Sequence, residues 1–384
     1  MKTKTAILGY YHGPKLGVGV FIDKFISHLP AAEDKEFVLY TNKNTAANIT
    51  SPLGHVQIMT PWMLGAGSLP AIIWSAFIFP MVCLLKGFKT AVILANPIVL
   101  IPILRFIVVI NDLNEFEMSK KYGRIRTFYR KKIMLPGSMR NSTAIVAISE
   151  FVKRQIQKYF PAVPEGRVRV IPEGVDNPVG DESRTAGILR DNGLADNGYY
   201  LIVGRIDPHG KNLYAALKLY LRLEREHPGR KLVLAGGIND FGSGEADNFL
   251  QMIRSNRNYI NRVQYLGHVD ELTLSALYQG AMAVILFSRV EGFGFPMMEA
   301  FKHGCPVLFN AACQVLLEQA EGAGFPIDEN DLNEGRGINV TAIYNPEQRA
   351  ALAVRMAAIA QKYDWDRNVT AYLKLIAETA GEKI

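Results

Sequence analysis

Ser288-Arg289-Val290-Glu291-Gly292-Phe293-Gly294-Phe295-Pro296-Met297-Met298-Glu299-Ala300-Phe301 decides how the rest of this chain is read. The apolar run Ala281 to Phe287 before it predicts a buried parallel strand. Pro296 suits the first turn of a helix, where its missing N–H would have had no partner. That helix is expected to stop at Gly304, with Pro306 opening a further strand, Val307 to Asn310. A strand, a glycine turn and a helix start aim backbone N–H groups at whatever lies in front of them, and an anion or a ring of hydroxyls suits that position. Glu291 and Glu299 bracket the turn, and Gly292 and Gly294 let the backbone approach a ligand because no Cβ stands in the way. Read singly, these are a solvated glutamate, an ordinary turn and a glutamate on a helix.

Together, at the end of a strand, they resemble the Glu-x7-Glu signature of the family 4 glycosyltransferases, which have the two-domain GT-B fold. The resemblance implies a retaining transferase using a nucleotide-diphosphate sugar. In it Glu291 and the N–H groups of Phe293 and Gly294, with Gly292 and Phe295 beside them, would hold sugar hydroxyls, and Glu299 the ribose.

Working outward, Tyr199 to Val203 predicts a buried strand, followed by Gly204-Arg205-Ile206-Asp207-Pro208-His209-Gly210-Lys211-Asn212 and a helix to about Glu226. Arg205 and Lys211 would face one point above that helix start. This is a sensible diphosphate site, with charge-assisted hydrogen bonds contributing roughly 1.5–3 kcal/mol each. A solvated loop is the other reading of the residues alone. The segment also matches the Gly-Arg…Lys phosphate-binding spacing of the family, which makes Arg205, Lys211 and Glu291 the candidate catalytic residues. Gly267 and Val269 follow the strand Val263 to Leu266, where the family holds the nucleotide base through backbone contacts.

The 384 residues favour two domains over one large core. Composition is that of a globular protein, 49% apolar and 21% charged. Cys83, Cys305 and Cys313 lie apart with no metal-ligand company, so no disulfide framework, zinc site or other metal is expected. A cytoplasmic setting follows, and Met1 to Lys4 lead directly into a strand, Thr5 to Tyr10, rather than a signal peptide. The net charge of +7 is uneven: through Val175 there are 22 Lys and Arg against 10 Asp and Glu, and beyond it 21 against 26. The basic half calls for an anionic partner, nucleic acid or an acidic membrane surface.

In that half, Gly17 and Gly19 open a helix after the first strand and gain a donor-side role by resemblance, with His12 and Lys15 in the same loop. A simple tight turn is the alternative. Asn111-Asp112 ends a strand, Phe106 to Ile110, where many family members have His-Asp. Asn111 removes a titratable group, yet can hydrogen-bond a sugar hydroxyl, and Asp112 would meet the acceptor; an Asx turn is the bland reading. Leu69 to Leu85 is an apolar run broken by Pro70 and Pro80, expected as a buried or membrane-surface helix. Lys120 to Arg140 carries eight cations and no acid over an apolar stripe of Tyr122, Ile125, Tyr129 and Ile133. Arg124, Arg130, Lys131 and Lys132 are its candidate membrane contacts. Stacking platforms for nucleic acid are not evident there beyond Tyr122, Phe128 and Tyr129, which leaves the membrane.

The fold class is therefore α/β, two doubly wound parallel sheets facing a cleft. Residues 1–175 form an acceptor-side domain onto which a terminal helix, about 366–384, returns, and residues 176–365 bind the nucleotide sugar. The polar stretch Asn177 to Gly198 is expected to be a linker. Asp364-Trp365-Asp366 resembles a metal-binding Asp-x-Asp only superficially. The expected partners are a UDP- or GDP-hexose, a glycan or polyprenyl-linked acceptor, and the inner face of the cell membrane. A nucleotide-sugar epimerase of the same fold and a non-catalytic basic binding protein are the rival readings.

Overall fold

The computed structural model describes residues 3–12, 17–31, 35–49, 56–117, 123–238 and 244–381; Lys15, Lys120, Lys121 and Tyr122 lie outside them. The chain divides into two compact units, Met1–Gly174 with Asp364–Ile384, and Val175–Tyr363.

The first unit holds β1 (Thr3–Leu8), β2 (Lys35–Tyr40), β3 (Val56–Met59), β4 (Thr90–Ile93), β5 (Arg105–Ile110), β6 (Ala144–Ala147) and β7 (Val168–Val170). They form one parallel sheet in the order β3-β2-β1-β4-β5-β6-β7. The second unit holds β8 (Tyr199–Val203), β9 (Lys231–Ala235), β10 (Val263–Gly267), β11 (Ala283–Leu286), β12 (Val307–Asn310) and β13 (Phe325–Ile327). These are parallel too, in the order β10-β9-β8-β11-β12-β13. Central strands such as Phe-Ile-Val-Val-Ile in β5 and Ala-Val-Ile-Leu in β11 are buried throughout because helices cover both faces. Strand order reverses between β1 and β4 and between β8 and β11. Ligands of doubly wound sheets bind beyond the carboxyl ends of strands at such points.

The terminal helix Trp365–Ala380 belongs to the first unit. Tyr372 meets Phe25 edge-on at 5.0 Å, and Trp365 stacks on Phe21 at 6.2 Å. Asp364 caps this helix, accepting from the N–H groups of Asp366 and Arg367. The polar stretch from Asn177 to Gly198 is not a linker. It contains the helix Glu182–Asp191, whose Thr185 hydroxyl donates to Gln279 at 2.5 Å, while Ser275 Oγ accepts from Val179 N–H.

Two helices of the first unit contain a π-turn. In Ser68–Leu85 it spans Trp74–Ile78, and in the helix over 124–141 it spans Arg130–Met134. A proline follows each, Pro80 and Pro136. A proline has no N–H to give and its ring crowds the carbonyl four residues back, and the wider turn relieves both demands.

Candidate functional site

The loops after β8 and β11 lie side by side at the switch point of the second unit. Gly236, after β9, packs against the Gly204 backbone so closely that a Cβ would overlap the Gly204 carbonyl. Beyond it, Asp207 organises the turn. One carboxylate oxygen accepts from Gly210 N–H at 2.8 Å and the other from Arg205 Nη2 at 2.6 Å, and the Asp207 carbonyl accepts from Lys211 N–H. Burial alone would raise the Asp207 pKa, but the Gly210 hydrogen bond and the Arg205 and Lys211 charges hold it below the usual range.

Lys211 is thereby delivered to the β11 loop, where its Nζ lies 2.6 Å from Glu291 Oε1, with both side chains largely buried. Ser288, at the end of β11, is fully buried, and its hydroxyl has no hydrogen-bond partner among the described residues. It lines the same small cavity as Arg205 and Lys211. Gly294 has φ 82°, and a Cβ there would stand 2.8 Å from Leu316 and 2.9 Å from Gln319 Oε1. It starts the helix Phe295–Lys302, and Phe293 is fixed edge-on between Phe295 and Tyr363.

One helical turn further on, Glu299 Oε2 accepts from Tyr278 OH at 2.6 Å. Burial pushes the Glu299 pKa up, only partly offset by that hydrogen bond. His303 stacks on Tyr278, bonds the Glu299 carbonyl through Nδ1, and meets Ser275 Oγ at 2.8 Å. Tyr278, Ser275, Asp207 and Ser288 were not singled out by sequence; only their place beside the motif residues reveals them. Gly267 ends the edge strand β10, its carbonyl accepting from Gly236 N–H, and Val269 lies just beyond.

In the first unit, Gly17 and Gly19 form the first turn of the helix Gly17–Ser27. Asn111 follows β5 directly, with its Oδ1 buried and without a hydrogen-bond partner among the described residues, and Asp112 lies 3.8 Å from Arg130. Arg130, expected to face a membrane, is turned inward, its side chain only 12% exposed. Its guanidinium forks onto Glu115 at 3.0 and 3.2 Å, and the Glu115 side chain is fully buried. The acid that compensates this cation sits on the preceding helix, outside the basic segment. The apolar stripe is not uniformly a core stripe: Ile125 is 87% exposed and Ile133 is exposed too, while Tyr129 is half-buried; neighbouring Phe128 is exposed as well. Arg124 and Lys132 are exposed, and Lys131 stands over the Phe116 ring at 4.9 Å. Among the described residues no group of three His, Cys, Asp or Glu could hold a metal ion.

Comparison with known proteins agrees with this geometry. The profile described as Glycosyltransferase Family 4 matches residues 17–177, and that of Glycosyl transferases group 1 matches residues 188–334. The O-antigen chain mannosyltransferase B of Escherichia coli is 25% identical over 268 residues, 69% of this chain and 68% of that protein. The GDP-mannose:cellobiosyl-diphosphopolyprenol alpha-mannosyltransferase of Xanthomonas campestris is 28% identical over 220 residues, 56% of this chain and 54% of that one. Among solved structures, Anabaena HepE with UDP and glucose superposes with a TM-score of 0.72 at 17% identity, covering 98% of this chain and all of the other. WaaG, a glycosyltransferase involved in lipopolysaccharide biosynthesis, superposes with a TM-score of 0.71 at 16% identity, covering 97% and 99%. The chain belongs to the family 4 glycosyltransferases and has the GT-B fold. That membership sets aside the epimerase and the non-catalytic binder.

Proposed function

We propose that the protein is a retaining hexosyltransferase that moves a hexose from a nucleotide-diphosphate sugar to a glycan or lipid-linked acceptor in surface polysaccharide synthesis. The Lys211–Glu291 pair, with Arg205 on the same turn at the β8/β11 switch point, carries this reading. The arriving diphosphate takes Arg205 and Lys211, which stabilise its growing charge as the glycosidic bond breaks. Glu291, released from Lys211, then accepts from the sugar hydroxyls, and Glu299 from the ribose. The leaving phosphate takes the acceptor proton, so no protein nucleophile is required. The mannosyltransferase names of two relatives, and the UDP and glucose of a structural neighbour, support UDP- or GDP-hexose as donor. A thermal-shift screen against nucleotide sugars tests the reading, since a bound donor raises apparent stability by mass action.

Two cations on the diphosphate take the place of a divalent ion. Transfer therefore proceeds in excess EDTA, and the product's anomeric proton signal keeps the donor's configuration. Metal-reversible loss of activity, or an inverted signal, would each remove its half of this statement.

Donor affinity also carries a pH signature. The ionised Glu299 is the form that accepts from two ribose hydroxyls, and its pKa is raised by burial. Affinity for UDP or GDP then falls as pH drops through that raised value, earlier than for an ordinary glutamate near 4.3. Titration calorimetry across this range should show the fall in the native protein and a flat, weaker profile in Glu299→Gln. An equal slope in both would clear Glu299 of the role. At the membrane, Arg124, Lys131 and Lys132 would draw the first unit to an anionic inner leaflet, each contributing about 1 kcal/mol.

A further inference from the structure

The nucleotide site leaves unused a pocket of about 470 Å³ beyond the carboxyl ends of β1, β2 and β3. His12, Asn42, Lys43, Asn44, Trp62 and Gly65 line it. Its frame is rigid. Asn42 Nδ2 donates to the Tyr11 carbonyl at 2.8 Å, Tyr11 N–H donates to Thr45 Oγ1 at 3.1 Å, and Asn42 Oδ1 accepts from Thr45 N–H at 2.7 Å. Trp62 is 74% exposed at the rim, whereas Trp74 and Trp365 are buried. An indole face for the C–H side of a sugar ring, the Asn44 amide and His12 imidazole for its hydroxyls and an ammonium for phosphate together make a saccharide-phosphate site.

The wall that carries Trp62 runs straight into the helix Ser68–Leu85. Gly65-Ala66-Gly67 separate them, a reach of at most about 10 Å. Tyr10 fixes the two together, its ring against His12 at 5.7 Å and its hydroxyl 3.4 Å from Ser75 on the buried face of that helix. No Asp, Glu, Lys or Arg occurs from Val56 to Leu85. Leu69, Ile73, Phe77, Met81, Leu84 and Leu85 are exposed, and no charged side chain interrupts them. Length and mean hydropathy, 18 residues and 2.1, would suit a membrane span. The opposite face, with Ala71, Trp74, Phe79 and Cys83, is fixed in the core of the unit, which leaves only the outer face to meet a bilayer and suits an interfacial helix, not a span. The charges that flank this face are all cations: Lys43 before it, Lys86 and Lys89 after it. An anionic lipid surface complements that arrangement.

We infer that this pocket holds the saccharide-phosphate head of a lipid-linked acceptor, while Ser68–Leu85 lies in the surface of the bilayer that carries its lipid. The inference rests on the transferase reading and adds to it the acceptor site and the element that enters the membrane. A helix at interfacial depth brings the Trp62 rim to headgroup level, where a diphosphate-linked sugar stands.

The test uses the full chain with phosphatidylcholine vesicles, with vesicles containing phosphatidylglycerol, and with the latter carrying a series of polyprenyl-diphosphate-linked mono- and disaccharides. The protein should sediment with the phosphatidylglycerol vesicles. Replacing Phe77, Met81 and Leu85 together by Ser should cut the bound fraction about tenfold while the protein stays folded, its melting temperature lowered only modestly because Leu85 is exposed and the other two are half-exposed. Trp62 is the exposed one of the three tryptophans, so its fluorescence should shift further when a saccharide-lipid is present. Trp62→Leu and Lys43→Gln should each raise the KM for that lipid about tenfold with nucleotide-sugar binding unaltered. Undiminished sedimentation of the triple variant, or a Trp62 signal and KM indifferent to every saccharide-lipid, overturns the inference. So does a concentration-dependent dimer that the triple variant dissolves, since the apolar face would then be an interface between copies. Absence of stabilisation by any nucleotide sugar would count against the transferase reading and is scored separately.

Discussion

Lys211→Ala lowers kcat by about 10²- to 10³-fold with the fold intact, the usual loss when one group aimed at developing charge is removed. Lys211 Nζ lies 2.6 Å from Glu291 Oε1, which fixes the cation beside the loop that follows β11. The single variant does two things, however: it removes a phosphate ligand and leaves a largely buried carboxylate without its cation. Lys211→Ala with Glu291→Gln measures the second effect, because it leaves no stranded charge and should restore the melting temperature. The phosphate role is read from donor binding, since UDP or GDP without a sugar meets Lys211 but not Glu291, and its affinity should fall in Lys211→Ala and stay native in Glu291→Gln. Near-normal transfer by Lys211→Ala would take Lys211 out of the mechanism.

Arg130→Ser costs stability rather than membrane affinity. The fork onto Glu115 has its carboxylate fully buried and the Arg130 side chain 12% exposed. Breaking such a pair strands a buried charge and costs about 3–5 kcal/mol. Urea denaturation should show a loss of that order, while the variant that remains folded sediments with anionic vesicles as the native protein does. Arg130→Met with Glu115→Leu should recover most of the loss, because two apolar groups of similar volume leave no charge behind. Unchanged stability in Arg130→Ser would mean that the fork contributes nothing.

The strands and glycine turns around Arg205 and Glu291 could be read from sequence because their physics is local. A strand covered on both faces is a continuous apolar run, and a left-handed residue such as Gly294 calls for glycine. What could not be read is pairing at a distance. Glu291 lies 80 residues from Lys211, and Tyr278 reaches Glu299 from another helix. Arg130 looked solvated because its acid lies 15 residues back, outside the basic run. Tyr122, Ile125, Tyr129 and Ile133 have the spacing of a buried stripe, yet exposed Ile125 and Ile133 show that period alone does not say which face meets the core. The pocket rimmed by Trp62 is assembled from three separate loops and leaves no motif at all.

The π-turn Trp74–Ile78 has a consequence for register. Leu69, Ile73, Phe77, Met81 and Leu85 recur every four residues, and on a regular α-helix each such step drifts about 40°, so the five would wind nearly halfway around the axis. The extra residue in the wider turn takes back about 100° of that drift and brings both ends of the stripe to one side. The flatness of the apolar face is thus a matter of phase, set by the count of residues more than by their identity. Deleting one residue within 74–78 would rotate everything after it, burying the side chains that now face outward and turning Phe79 and Cys83 to solvent. Point substitutions would be tolerated along this face far more readily than a single insertion or deletion.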